Sequence, residues 1–194
     1  ANFGVDADTK ASFKNYGPNI SFANSDDWFA LTGALGQGVI DTTNASYYKS
    51  LLQNNKNISF TLGMSKPEYS NVNGRLWLDA VYARDYAKYG GKDSTCFTSG
   101  KNGDNPASWT GGVRTLDPDN DIVDAYAHLR RNGSNATDSL WLFGGISTVG
   151  NATDRYVDIE LYNKAVSYNK STGKFNTGGA LTGHTQWLFD ASGK

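Results

Sequence analysis

Val123-Asp124-Ala125-Tyr126-Ala127-His128-Leu129-Arg130 alternates apolar and polar side chains without a break. A period of two marks a β-strand with one buried face, because successive side chains point to opposite sides of a sheet. The same period recurs in Ile58 to Met64, Arg75 to Ala83, Ser139 to Ile146, Arg155 to Tyr162 and Thr185 to Phe189. Between these runs lie Pro67 to Gly74, Asn132 to Asp138, Gly150 to Asp154 and Asn169 to Gly179, rich in Gly, Asn, Ser, Thr or Asp. Short linkers of that composition turn antiparallel hairpins, so the pattern predicts an all-β, antiparallel β-sandwich of jelly-roll or lectin-like type. Arg84 to Ile122 yields no strand assignment. One helix is expected: Asn44 can cap it, Tyr47 with Leu51 and Tyr48 with Leu52 form i,i+4 pairs, and it should stop near Asn54 and close one end of the sandwich. No linker or repeat divides the chain, so 1–194 reads as a single domain, with 1–22 a polar N-terminal arm that a neighbour could accept.

The 194 residues include 18 Lys plus Arg and 19 Asp plus Glu, for a net charge of −1 without runs of either sign. Nucleic acid is therefore not an expected partner, since phosphate recognition needs clustered basic residues. Charged residues make up 19% of the chain, below the roughly 25% of average soluble domains. Together with abundant Gly, Asn, Ser, Thr and Tyr, this is the composition of turn-rich extracellular β proteins. A start at Ala1-Asn2-Phe3 fits a mature secreted product. No stretch approaches the roughly 20 apolar residues of a membrane-spanning helix. The lone Cys96 cannot form an internal disulfide and reads as a buried, inert thiol. Gly33, Gly36 and Gly38 lack the Lys-Ser/Thr pair and βαβ setting of a phosphate loop and read as turn residues.

The densest acidic group, Asp117, Asp119 and Asp121 at alternate positions, offers oxygen ligands of the kind Ca²⁺ takes. Ile122 replaces the Gly at the sixth position of an EF-hand and His128 the Glu at the twelfth, leaving a different calcium loop or a solvated Asx turn. Asp158 and Glu160 share a strand face, with Asp154 nearby, and Tyr156-Val157-Asp158-Ile159-Glu160 resembles the E-x-D-x-E strand of laminarinase- and lichenase-type glycoside hydrolases. Tyr156 stands where that family has its nucleophile, so the resemblance does not imply catalysis. The two histidines, His128 and His184, form no zinc cluster with one Cys, and no G-x-S-x-G elbow is present. Trp28, Tyr89 and Trp109, beside polar loop residues, are the candidates for stacking on sugar rings, while Trp77, Trp141, Phe143 and Trp187 lie in alternating runs and are expected in the core.

Asp121 to Arg131, Asp138 to Thr148 and Asp154 to Tyr162, with Gly183 to Asp190 and more weakly Gly103 to Thr110, resemble surface and secreted proteins of Bacteroidota. The resemblance implies export by type IX secretion, a cell-surface location and adhesion. It also implies O-glycosylation at Asp-Ser/Thr-apolar sites, for which Ser139 in Asp138-Ser139-Leu140 is the candidate and Thr42 in Asp41-Thr42-Thr43 is similar with a less apolar third residue. The expected function is a non-enzymatic surface adhesin or a structural subunit of a filament or layer, with identical subunits, other surface proteins or glycans as partners. A calcium-dependent carbohydrate-binding module and a diverged glycosidase are the alternatives.

Overall fold

The computed structural model describes residues 3–5, 9–11, 25–54, 58–85, 92–100, 104–150, 157, 159–162 and 164–177. It contains two antiparallel sheets and one short helix, the composition expected of an all-β sandwich. The helix α1 spans Ala45–Asn54; the strands are β1 Phe60–Leu62, β2 Ser70–Val72, β3 Arg75–Arg84, β4 Lys92–Ser99, β5 Thr110–Thr115, β6 Ile122–Arg131, β7 Leu140–Thr148, β8 Val166–Asn169 and β9 Lys174–Thr177. Contacts divide the chain into two compact units, Ala1–Ala87 with Ile122–Val149, and Lys88–Asp121 with Gly150–Lys194.

The first unit holds a five-stranded sheet in the order β1-β3-β6-β7, with β2 pairing β3 beside its other end. Val72 pairs with Arg75, so Asn73-Gly74 forms a two-residue loop with both residues at positive φ, 50° and 72°. That is the turn whose twist matches a hairpin, and Asn-Gly is the dipeptide that adopts it most readily. In β3 the register shifts between Trp77 and Asp79. This irregularity changes the phase of burial, so Trp77, Ala80 and Tyr82 point inward. The core gathers Phe3, Trp28, Val39, Ile40, Trp77, Ala80 and Tyr82, with Phe143 and Tyr126 packed against it.

β6 alternates as its sequence requires, but the polar side is the buried one. Asp124, His128 and Arg130 are buried, with Tyr126 half-buried on the same side, whereas Ile122 and Ala125 are exposed. Two further expectations are corrected. Phe3 and Ala11 of the N-terminal arm are buried in this chain: Phe3 is 4% exposed and stacks on Phe143 with centroids 4.4 Å apart. Gly4 N donates to Asp26 O at 2.8 Å and Ala11 N to Phe29 O at 3.0 Å. Burying a Phe side chain is worth about 2 kcal/mol, which an arm waiting for a neighbour would forgo. Trp141, expected in the core, is 43% exposed on β7.

The second unit holds a four-stranded sheet, β4-β5-β9-β8. Its first two strands lie in the stretch to which periodicity assigned none. β4 buries Asp93 and Cys96, and burial, with the nearby Asp93 charge, pushes the Cys96 thiol up from its ordinary value. Asn169 closes the β8–β9 turn by accepting from Ser171 N at 3.0 Å and Thr172 N at 3.2 Å through Oδ1. Of the run Arg155 to Tyr162, the described residues Val157 and Ile159 to Tyr162 are in no strand. Thr185 to Phe189, with Trp187 and His184, lies outside the described residues.

Candidate functional site

Residue types that carry chemistry elsewhere are concentrated inside the first sheet, and their geometry shows what occupies them. Asp124 Oδ1 accepts from Tyr82 Oη and Arg84 Nε, both at 2.6 Å; Oδ2 accepts from Arg84 Nη2 at 2.8 Å and Ser147 Oγ at 2.6 Å. A carboxylate has about four acceptor sites, and these four donors fill them. Burial raises the Asp124 carboxyl, but hydrogen bonds from Arg84, Ser147 and Tyr82 outweigh it and hold the group below its usual value. Burial and the bond to Asp124 push the Tyr82 phenol upward, so it stays protonated as a donor.

Asp26 is a second hub. Its Oδ2 accepts from Arg130 Nη1 at 2.8 Å, and Oδ1 accepts from Gln37 N at 3.0 Å and Asn73 Nδ2 at 3.3 Å. Arg130 is fully buried, its guanidinium carbon 5.3 Å from the ring centroids of both Phe3 and Phe143. His128, 1% exposed, has Nδ1 2.9 Å from Asp79 O, the geometry of an Nδ1–H donor to a carbonyl. Burial pulls its pKa down to about 4, so the ring is neutral at ordinary pH. These groups staple strands together, and Asp26, Asp124, His128 and Arg130 are all buried.

Asp117 lies at the start of a 3-10 turn, where its Oδ1 accepts from Asp119 N at 3.0 Å; it is exposed, while Asp121 is buried. Among the described residues no group of three or more His, Cys, Asp or Glu is arranged to hold a metal ion. Trp28 is 5% exposed, with the rings of Phe3 at 5.1 Å and Tyr126 at 4.6 Å, so it belongs to the core and presents no open face to a sugar. Tyr89, Asp154 and Asp158 lie outside the described residues; Glu160 is half-buried. Trp109 is half-buried in the second unit, edge-on to Phe97 at 5.5 Å and to Phe175 at 5.8 Å, and Phe97 is largely exposed. Ser139 and Thr42 both sit exposed in irregular segments, Ser139 just ahead of β7 and Thr42 just ahead of α1 and beside Asp41, whose Oδ1 accepts from Thr43 Oγ1 at 2.6 Å.

Two surface features were not picked out by residue type. The first is β7, which among the described residues pairs only with β6 and so forms one edge of its sheet. Leu140, Trp141 and Leu142 are consecutive on it and 50%, 43% and 42% exposed, which puts apolar surface on both faces. The whole strand, Leu-Trp-Leu-Phe-Gly-Gly-Ile-Ser-Thr, has no charge and no proline. Edges in folded proteins are commonly guarded by Lys, Pro or a bulge; along Leu140 to Ser147 the register to β6 runs unbroken.

The second is a cleft of about 660 Å³ between α1 and the sheet, walled by Phe29, Tyr48, Leu52, Phe60, Leu62 and Tyr82. Tyr48 stacks on Phe60 at 4.3 Å, yet α1 buries none of its residues fully. The Tyr48/Leu52 pair was the sequence signal for this wall. No family model, curated protein or solved structure matches the chain.

Proposed function

We propose that this protein is a non-catalytic cell-surface module that associates with copies of itself through the free edge of its five-stranded sheet. The observation that carries the reading is β7: among the described residues it is a nine-residue edge without a charged or proline residue, with Leu140, Trp141 and Leu142 exposed. Unpaired strand backbone beside apolar side chains is a template for another strand, with main-chain hydrogen bonds giving affinity and side-chain pockets giving specificity. The engagement of Asp26, Asp124, Arg130 and His128 within the fold supports a structural rather than a reactive role for these groups. A location outside the cell accords with the turn-rich, weakly charged composition and with the resemblance to type IX-secreted surface proteins of Bacteroidota.

Sedimentation velocity and electron microscopy of the purified chain test this reading. The wild type should form dimers or longer assemblies, while Trp141→Lys and Leu142→Lys, one on each face of the edge, should be monomers with unchanged circular dichroism. A wild type that stays monomeric at high micromolar concentration would sink it. A second reading, a carbohydrate-binding module, draws on Trp109 beside the exposed Phe97. It requires glycan binding that Trp109→Ala removes.

A further inference from the structure

We propose that the cleft under α1 binds a single-chain amphiphile with an anionic head group, taken up as a free molecule. Its volume of about 660 Å³ lies within the usual range of small-molecule sites, roughly 300 to 1,000 Å³, and such sites are mostly apolar with a few polar groups that orient the ligand. Here the walls are aromatic rings and leucines from three sources: Phe29 ahead of α1, Tyr48 and Leu52 on the helix, and Phe60, Leu62 and Tyr82 on β1 and β3.

The polar groups decide the class of ligand. A sugar needs several hydrogen-bond partners around its ring. The Tyr82 hydroxyl, the one polar atom on the sheet side of the cleft, is committed to Asp124 at 2.6 Å. Thr42, Tyr48, Lys49 and Gln53 contribute the remaining side-chain polar atoms, all from the helix side. Of the residues lining the cleft only Lys49 carries a charge, and it has no ion-pair partner among the described residues. An alkyl chain along the rings with a carboxylate or similar anion at Lys49 satisfies both halves of the site. A cationic amphiphile would set like charges together, and a neutral sugar would make no use of the Lys49 charge.

Calorimetric titration of the full chain with dodecanoate, below its micelle concentration, tests the assignment, with dodecyltrimethylammonium and maltose as controls. Ala45→Trp, at an exposed helix position lining the cleft, fills it; Lys49→Glu reverses its charge. The expected result is saturable one-site binding of dodecanoate, with neither control bound comparably. Ala45→Trp should weaken binding by at least about tenfold. Lys49→Glu should weaken it roughly tenfold, the scale of reversing an exposed charge contact, and remove the preference over the cationic amphiphile. Circular dichroism checks that both variants fold. The proposal is overturned if dodecanoate does not saturate, if Ala45→Trp binds it as tightly as wild type, or if the cation binds equally well. Flotation with phosphatidylglycerol vesicles in the absence of dodecanoate binding would also overturn it, since the cleft would then serve a membrane surface. None of these outcomes depends on the state of assembly, which Leu142→Lys controls separately.

Discussion

Neutralising either member of the Asp26–Arg130 pair should cost far more than neutralising both. The side chains are 3% and 0% exposed and meet at 2.8 Å, so each charge depends on the other. The pair is incompletely solvated by protein: Arg130 Nε and Nη2 have no hydrogen-bond partner among the described residues, and burial draws the guanidinium pKa below its ordinary value. Removing one partner of such a pair costs about 3–5 kcal/mol, because a lone charge is left in a medium that cannot screen it, whereas replacing both with neutral groups of similar size is close to neutral. Asp26→Asn keeps an amide oxygen for Gln37 N but leaves the guanidinium uncompensated. Arg130→Met keeps the packing against Phe3 and Phe143 but leaves the carboxylate with only Gln37 N and Asn73 Nδ2 as donors. Each single variant should lose about 3 kcal/mol, and the double variant should recover at least about 2 kcal/mol of the combined loss. Urea titration followed by tryptophan emission at neutral pH is the assay, since Trp28 and Trp77 are buried in the same unit. Losses that simply add, to within about 0.5 kcal/mol, would refute the argument.

His128 makes stability depend on pH. Its folded pKa is depressed to about 4 from 6.5, so the unfolded chain takes up a proton first as the medium is acidified. Stability should therefore fall between about pH 6.5 and 4, by of order 3 kcal/mol, and level off with respect to this group below that. His128→Gln should flatten the slope in that window, and an unchanged slope in urea titrations would show another group to be responsible. Asp124→Asn should cost about 2–4 kcal/mol, because its amide nitrogen would face donors from Arg84 and Ser147; thermal melting checks this. Gly173→Ala should destabilise the second unit by about 2 kcal/mol or more, since a Cβ there would lie 2.4 Å from Gly111 O on a residue at φ 64°. Gly74→Ala, at φ 72° with open space around it, should cost only about 1 kcal/mol. Equal losses at the two glycines would remove the steric part of that account.

Alternation along Arg75 to Ala83, Val123 to Arg130 and Ser139 to Ile146 located β3, β6 and β7 to within two residues at each end, and Tyr48 with Leu52 located α1. Periodicity does not say which phase is inward. In β6 the polar phase is buried because Asp124 and Arg130 find partners on Tyr82, Arg84, Ser147 and Asp26, residues far away in the chain. β4 and β5 escaped notice because Asp93 and Gly111-Gly112 break any apolar rhythm, and β2, β8 and β9 because four residues or fewer are too short to show one. The surface features were hidden for a different reason. Alternation along Ser139 to Ile146 put Trp141 and Phe143 in the core, and only the order of strands reveals that β7 stands at an edge among the described residues. The cleft needs Phe29, α1 and two strands at once. Residue type instead pointed to Trp28, which packing has claimed for the interior.

β3 and β6 are hydrogen-bonded neighbours, Arg84 facing Asp124 and Asp85 N bonded to Val123 O at 2.8 Å, yet the chain leaves between them to build β4 and β5 before it returns. The detour is thermodynamically mild, because the entropy of closing a loop grows only with the logarithm of its length, about 0.6 kcal/mol for each doubling. A hairpin that tolerates so large an interruption is an insertion point: its anchoring ends are held side by side while the segment between them pairs elsewhere, β5 with β9.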